Sequence, residues 1–140
     1  MNLDAEIFLD SAYLIALAQP TDLFHEKATE LAETIQANRI GVTTVGAVLL
    51  EVANSLSRLR YRSVAVQLID SIQRAPGIRV FSLSDETVQQ GWKMFRERTD
   101  KEWSWVDCIS FIVMQHRGLM QALTTDEHFE QAGYVALLRH

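Results

Sequence analysis

The feature that most limits how this chain can fold is the alternation, from one end to the other, of short apolar runs with stretches of helical periodicity. Ile7-Phe8-Leu9, Ile40-Gly41-Val42-Thr43, Ile78 to Leu83, Gln121 to Thr124 and Val135 to Leu138 have the length and character of strands. Helical patterns lie between them. One runs from about Ser11 to Ala18 and is halted at Pro20, and another from Asp22 to about Ala37 carries Leu23, Phe24, Ala28, Leu31, Ala32 and Ile35 on one face. Val45, Val48, Leu49, Val52, Ala53 and Leu56 make the apolar face of a third, and a fourth spans about Arg62 to Arg74, before the turn signal Pro76-Gly77. Ser84-Asp85-Glu86-Thr87 opens a fifth with an N-cap and an acidic first turn. Ser104 to His116 is a sixth, stopped by Gly118, and Asp126 to Ala132 a short seventh, closed by Gly133.

Strands that are apolar on both faces and separated by helices pair in parallel and are covered on each side. The expectation is one α/β domain over residues 1–140, with a parallel sheet of about five strands flanked by helices on both faces. A chain of 140 residues buries roughly two-thirds of the surface its unfolded form exposes, so it needs no disulfide or structural metal to fold. Cys108 is the single cysteine, lies in an apolar run and reads as a buried, inert thiol, which suits a reducing compartment. The N-terminal apolar run has Asp4 and Glu6 ahead of it and no Lys or Arg, the wrong flank for a signal peptide, and no apolar stretch is long enough to span a bilayer. A soluble, cytoplasmic protein is expected.

In parallel sheets of this kind ligands bind beyond the carboxyl ends of the strands, where the strand order reverses. Asp10 follows the first strand and Asp126 the fourth; if those strands are neighbours, both carboxylates face one crevice. Two more acids stand in apolar surroundings. Asp107 lies between Trp105-Val106 and the run Cys108 to Met114, in a helix apolar nearly all round, and Glu51 lies between Leu50 and Val52. A carboxylate so placed is costly unless hydrogen-bonded or paired with a cation. Taken singly, each acid also fits a structural role: Asp10 and Asp126 as helix caps, Asp107 as the second half of a Ser104-Trp105-Val106-Asp107 capping box, Glu51 as a solvated helix residue. Taken together, acids meeting in one crevice repel one another, and a divalent cation relieves that repulsion. His25, His116, His128 and His140 show no metal-ligand spacing and read as surface or capping residues, so the ligand atoms would be oxygens, which suits Mg²⁺ or Mn²⁺ over Zn²⁺.

The segments Ile7-Phe8-Leu9-Asp10-Ser11, Leu50-Glu51-Val52-Ala53-Asn54, Ser104-Trp105-Val106-Asp107-Cys108 and Leu123-Thr124-Thr125-Asp126-Glu127-His128-Phe129, with Gly133, resemble in order the successive motifs of PIN domains. The likeness runs over essentially the whole chain and is nearest to the VapC-like toxins of type II toxin–antitoxin modules. The resemblance implies a five-stranded parallel sheet, frequent homodimers, Mg²⁺ or Mn²⁺ as cofactor, endoribonuclease activity on an RNA substrate, and a small antitoxin as partner. Carried over by position, Asp10, Glu51, Asp107 and Asp126 are the catalytic and metal-binding acids, with Ser11, Ser104, Thr124 and Thr125 as hydroxyls beside them. Trp105 is bulkier than the residue expected there, and Asp100 is an extra acid that reads as a solvated loop charge.

A net charge of -5 means that affinity for RNA has to come from a local basic patch and from bound cations. Arg58, Arg60 and Arg62, clustered between two predicted helices, are the first choice, ahead of Lys93, Arg96, Arg98 and Lys101; Trp103 and Trp105 read either as base-stacking surfaces or as core. Three rivals stand beside the toxin reading. A phosphoryl-accepting domain also carries an Asp after its first strand, but Ala12 occupies the place of its usual second acid and no Lys follows Lys101. A catalytically silent interaction module would have no need of all four acids, and an RNA-processing nuclease without a toxin role differs from a toxin only in its partner.

Overall fold

The computed structural model describes residues 2–140. In chain order the elements are β1 (Glu6–Leu9), α1 (Ser11–Ala18), α2 (His25–Ala37), β2 (Gly41–Val45), α3 (Gly46–Ser55), α4 (Leu59–Arg74), β3 (Ile78–Phe81), α5 (Asp85–Glu97), α6 (Trp105–Arg117), β4 (Gln121–Leu123), α7 (Glu127–Gln131) and β5 (Val135–Ala136), with a 3₁₀ turn at Leu137–Arg139. The five strands form one wholly parallel sheet in the order β3-β2-β1-β4-β5. The sheet therefore grows outward from β1 in one direction through β2 and β3, and in the other through β4 and β5. β1 lies against both β2 and β4, with Phe8 opposite Thr43 on one side and Ala122 on the other.

Side chains alternate across this sheet and build two cores. Ile7, Leu9, Val42 and Leu123 pack under α1, α2 and α4 with Leu14, Leu31 and Ile72, while Phe8, Val45 and Ala122 pack on the opposite face against Phe111, Met114 and Phe129. α6 is buried from Asp107 to Met114, as its apolar sequence requires, and ends at Gly118, whose φ of 66° is the left-handed conformation a side chain disfavours. α5 crosses α6 at Gly91, where a Cβ would lie 2.7 Å from Ile109 Cγ1 and 3.2 Å from its backbone nitrogen, so only glycine admits this approach. Cys108 is fully buried, and burial first, then the charge of Asp107, pushes its thiol up to about 11.

Several boundaries differ from the sequence reading, and two of the differences have a plain structural cause. α4 begins at Leu59, so Arg60 and Arg62 lie in its first turn and Arg58 is its N-cap residue; they do not sit in a linker. The last strand stops at Ala136, because the chain then bends into the 3₁₀ turn that sends the Leu138 amide back to the Thr124 carbonyl at 3.2 Å. No helix among the described residues is long and apolar enough to cross a membrane.

Candidate active site

The adjacency of β1 and β4 brings the residues that follow them to one end of the sheet, at the point where the strand order reverses. Asp10 is only 4% exposed, and its amide continues the β1–β4 pairing one residue further, donating to the Leu123 carbonyl at 3.2 Å. It occupies the N-cap position of α1 but its side chain does not cap that helix. Instead the carboxylate accepts from the Thr124 hydroxyl at 2.7 Å, and the same hydroxyl accepts from the Asp126 amide at 3.0 Å. Burial is the main force on Asp10 and raises its pKa to about 7; the hydrogen bonds from Thr124 and the Ser11 backbone oppose the rise, and the charges of Asp107 and Glu51 add to it.

Glu51, half-buried on α3, accepts a hydrogen bond from the Ser11 hydroxyl, which stands in the first turn of α1 directly after Asp10. Asp107 is the third residue of α6 and completes the capping box: its amide donates to Ser104 Oγ at 2.9 Å, and the Ser104 amide donates to Asp107 Oδ2 at 3.0 Å. Burial raises the pKa of Asp107; hydrogen bonds from Ser104 and His128 work against that, and the charge of Asp126 works with it. Asp126 caps α7 by accepting from the His128 amide at 2.9 Å. The capping readings of Asp107 and Asp126 are thus realised in two of the side chains that gather at this end of the sheet.

His128 is the residue that sequence reasoning left out. Its Nδ1 lies 2.9 Å from Asp107 Oδ2 and 3.4 Å from Asp126 Oδ1, and one donor atom from each of the three side chains lies within 4.8 Å of the others. Burial weighs against its charged form, but the hydrogen bond to Asp107 and the charges of Asp126, Asp107 and Glu127 outweigh it, and its pKa is raised. The position two residues after Asp126, at the opening of a short helix, was the only signal available, and it is too common to single out an imidazole.

The other expected residues divide. Ser11, Ser104 and Thr124 hold Glu51, Asp107 and Asp10 as described, whereas Thr125 contributes its carbonyl, which accepts from Arg139 at 3.3 Å, and no side-chain hydrogen bond to an acid among the described residues. Arg58, Arg60 and Arg62 are exposed at the start of α4, with Arg60 lying 4.7 Å above the Tyr61 ring. Trp103 belongs to the core, edge-on to Phe111 with its indole N–H donated to Gln131 at 3.1 Å, so it offers no stacking surface. Trp105 is exposed by 39% and pinned through its N–H to the Val88 carbonyl at 3.0 Å. Asp100 is exposed and paired with Arg98 at 3.0 Å.

Among the described residues no lysine or arginine forms a salt bridge with Asp10, Glu51, Asp107 or Asp126, and His128 is the sole ion-pair partner any of them has. A set of carboxylate oxygens held together without compensating cations fits a hard dication, which satisfies acids that otherwise repel one another. Asp107, Asp126 and His128 have donor atoms close enough to share one ion, and Asp10 and Glu51 border it within electrostatic reach.

A parallel sheet whose reversal point gathers four acids from separate elements is the arrangement of a metal-dependent nuclease, and residues 7–134 match the PIN domain. The chain belongs to the PIN-domain family and is a nuclease by that membership. It is 30% identical over 129 residues to the 23S rRNA-specific endonuclease VapC20 of Mycobacterium tuberculosis, a match that covers 92% of this chain and 95% of that protein. The crystal structure of VapC20, a toxin that cleaves the sarcin–ricin loop, superposes with a TM-score of 0.82 at 28% identity, covering 93% of this chain and 97% of the other. FitAcB from Neisseria gonorrhoeae shares the fold, with a TM-score of 0.66 at 15% identity over 93% of this chain and 94% of that one.

Proposed function

We propose that this chain is an endoribonuclease dependent on Mg²⁺ or Mn²⁺, the toxin of a toxin–antitoxin module, with residues 1–140 acting as one nuclease domain. The observation that carries the reading is a buried Asp10 beside Asp107 and Glu51, with no lysine or arginine among the described residues in a salt bridge to any of them. Asp10, Asp107 and Asp126 would hold the ion. When bound, it sets positive charge against the phosphate oxygens and makes water more acidic. Glu51, held by the Ser11 hydroxyl, orients the water that attacks phosphorus and takes its proton as the new P–O bond forms. The opposite P–O bond breaks, the leaving oxygen takes a proton from solvent, and the products are one strand end with a phosphate and one with a free hydroxyl.

Arg58, Arg60 and Arg62, exposed on one helix start, supply the local positive charge the acidic chain otherwise lacks. Exposed apolar side chains on α3 and α4, Leu50, Leu59 and Val66, support a homodimer, and a small antitoxin is the expected partner in the cytoplasm. Since VapC20 cleaves the sarcin–ricin loop, that RNA is the first substrate to offer this chain. Asp10→Asn keeps the shape and removes the charge. We expect metal-dependent cleavage to fall by about 10²-fold or more, the usual scale for losing a group that stabilises the transition state; unchanged turnover would refute the assignment.

A further inference from the structure

We infer that His128 is a ligand of the metal, through Nδ1, and that this nitrogen gives the site a preference for a first-row transition dication over Mg²⁺. The inference rests on the metal-dependent nuclease reading above and changes its ligand set from oxygen alone to mixed oxygen and nitrogen.

Three observations carry it. First, the distances fit. Ligand bonds of about 2.1 Å at right angles put adjacent donor atoms about 3.0 Å apart, and Nδ1 lies 2.9 Å from Asp107 Oδ2 and 3.4 Å from Asp126 Oδ1. Of all His, Cys, Asp and Glu side chains among the described residues, Asp107, Asp126 and His128 are the three whose donor atoms converge this closely. Secondly, the ring is held there. Its own amide is fixed on Asp126 Oδ1 at 2.9 Å, at the start of α7, and Phe129, the next residue, is fully buried against Phe8 and Phe111. Thirdly, the half-buried imidazole has those two carboxylates as its polar partners among the described residues, and a shared ion would take the place of the proton on Nδ1 that now links it to them.

The chemical consequence follows from donor softness. Carboxylate and water oxygens suit Mg²⁺ and Mn²⁺ alike, whereas imidazole nitrogen is a poor donor to Mg²⁺ and a good one to the later transition metals. A site with one nitrogen among its oxygens therefore separates ions that an all-oxygen site treats nearly alike.

The test is spectroscopic and needs no RNA. Mn²⁺ is titrated into the purified protein, its affinity is measured by electron paramagnetic resonance, and the electron spin-echo envelope of the bound ion is examined for ¹⁴N modulation; Mg²⁺ affinity is obtained by competition. The wild type is expected to show imidazole nitrogen on Mn²⁺ and to bind Mn²⁺ more tightly than Mg²⁺. His128→Ala is expected to lose the nitrogen signal, to lose Mn²⁺ affinity by about tenfold or more, at least what losing an outer-shell partner of a ligand costs, and to lose less for Mg²⁺. Wild-type protein that binds Mn²⁺ with no nitrogen modulation would overturn the inference and leave the nuclease reading standing. That spectrum is read on the wild type, so it decides even if the variant fails to fold. Wild-type protein that binds neither ion would overturn both.

Discussion

Thr124 donates its hydroxyl proton to Asp10 Oδ2 at 2.7 Å and is buried with it, 114 residues away in sequence. Because the Thr124 hydroxyl oxygen also accepts from the Asp126 amide, this side chain sets the spacing between the acid after β1 and the acid after β4. Replacement by valine keeps the volume and removes both interactions. Thr124→Val should destabilise the protein by about 1–3 kcal/mol, the cost of leaving buried polar groups unpaired. It should also move the Asp10 pKa further up, since the lost hydrogen bond is the largest force holding it down. Chemical denaturation and carboxyl titration by NMR check the two halves.

The pH dependence of stability without metal has a definite sign. The folded pKa of Asp10 is about 7, above its ordinary 3.8, because burial penalises the charged form. The native state therefore holds a proton that the unfolded chain releases, so this contribution is fully present below pH 3.8 and is lost as pH rises through 7. The loss is on the order of 4 kcal/mol at most for a pKa displaced this far. Metal-free melting temperature should fall between about pH 4 and pH 7 for this reason, and the rise produced by added Mg²⁺ or Mn²⁺ should be larger at pH 8 than at pH 6. A rise of equal size at both would count against Asp10 in the ion's shell.

Asp10→Asn carries a second signature beyond lost cleavage. An amide cannot ionise, so the variant escapes the charge burial that Asp10 suffers above pH 7. At pH 8 and without metal it should melt at or above the wild type, and it should gain less from added dication. A variant that melts below the wild type under both conditions would make Asp10 a purely structural acid.

Gly91→Ala should be costly although the change is one methyl group on a helix, where alanine is intrinsically preferred. The new carbon would meet Ile109 at 2.7 Å, with its backbone nitrogen and Cα at 3.2 and 3.3 Å, so α5 and α6 must separate. The expected loss is about 1–3 kcal/mol. As α6 carries Asp107, metal affinity should fall with it.

Ser104→Ala removes the acceptor for the Asp107 amide and should cost about 1 kcal/mol. Alanine keeps the backbone amide that donates to Asp107 Oδ2 at 3.0 Å, so the carboxylate stays held and dication affinity should fall little while stability drops. Isothermal titration with Mn²⁺ measures it.

Local signals explain what could be read in advance. The strand–helix alternation is a period written into neighbouring residues, and Ser104-x-x-Asp107, Ser84 and Gly118 act within one turn of themselves, so these elements appear where the sequence puts them. The four acids are legible as an ordered set because Asp10 and Asp126 each follow a strand and Glu51 and Asp107 interrupt apolar helices. His128 is not, since it matters only once α7 is folded against the start of α6, a contact between segments 21 residues apart that no periodicity announces. The start of α4 was placed three residues late for the opposite reason: Leu59 is 91% exposed, so the helix begins before its apolar face does. Trp103 and Trp105 stand two positions apart, yet one is core and the other surface, because the helix cap, Ser104, falls between them.

The central pairing of β1 with β4 also bears on when activity can arise during synthesis. A nascent chain that has emerged through α5 possesses Asp10 and Glu51 but lacks Asp107, the strand β4 beside which Asp10 is seated, and Asp126. The four acids thus come together only in the last stretch of translation, and a product truncated before Asp126 lacks one of them.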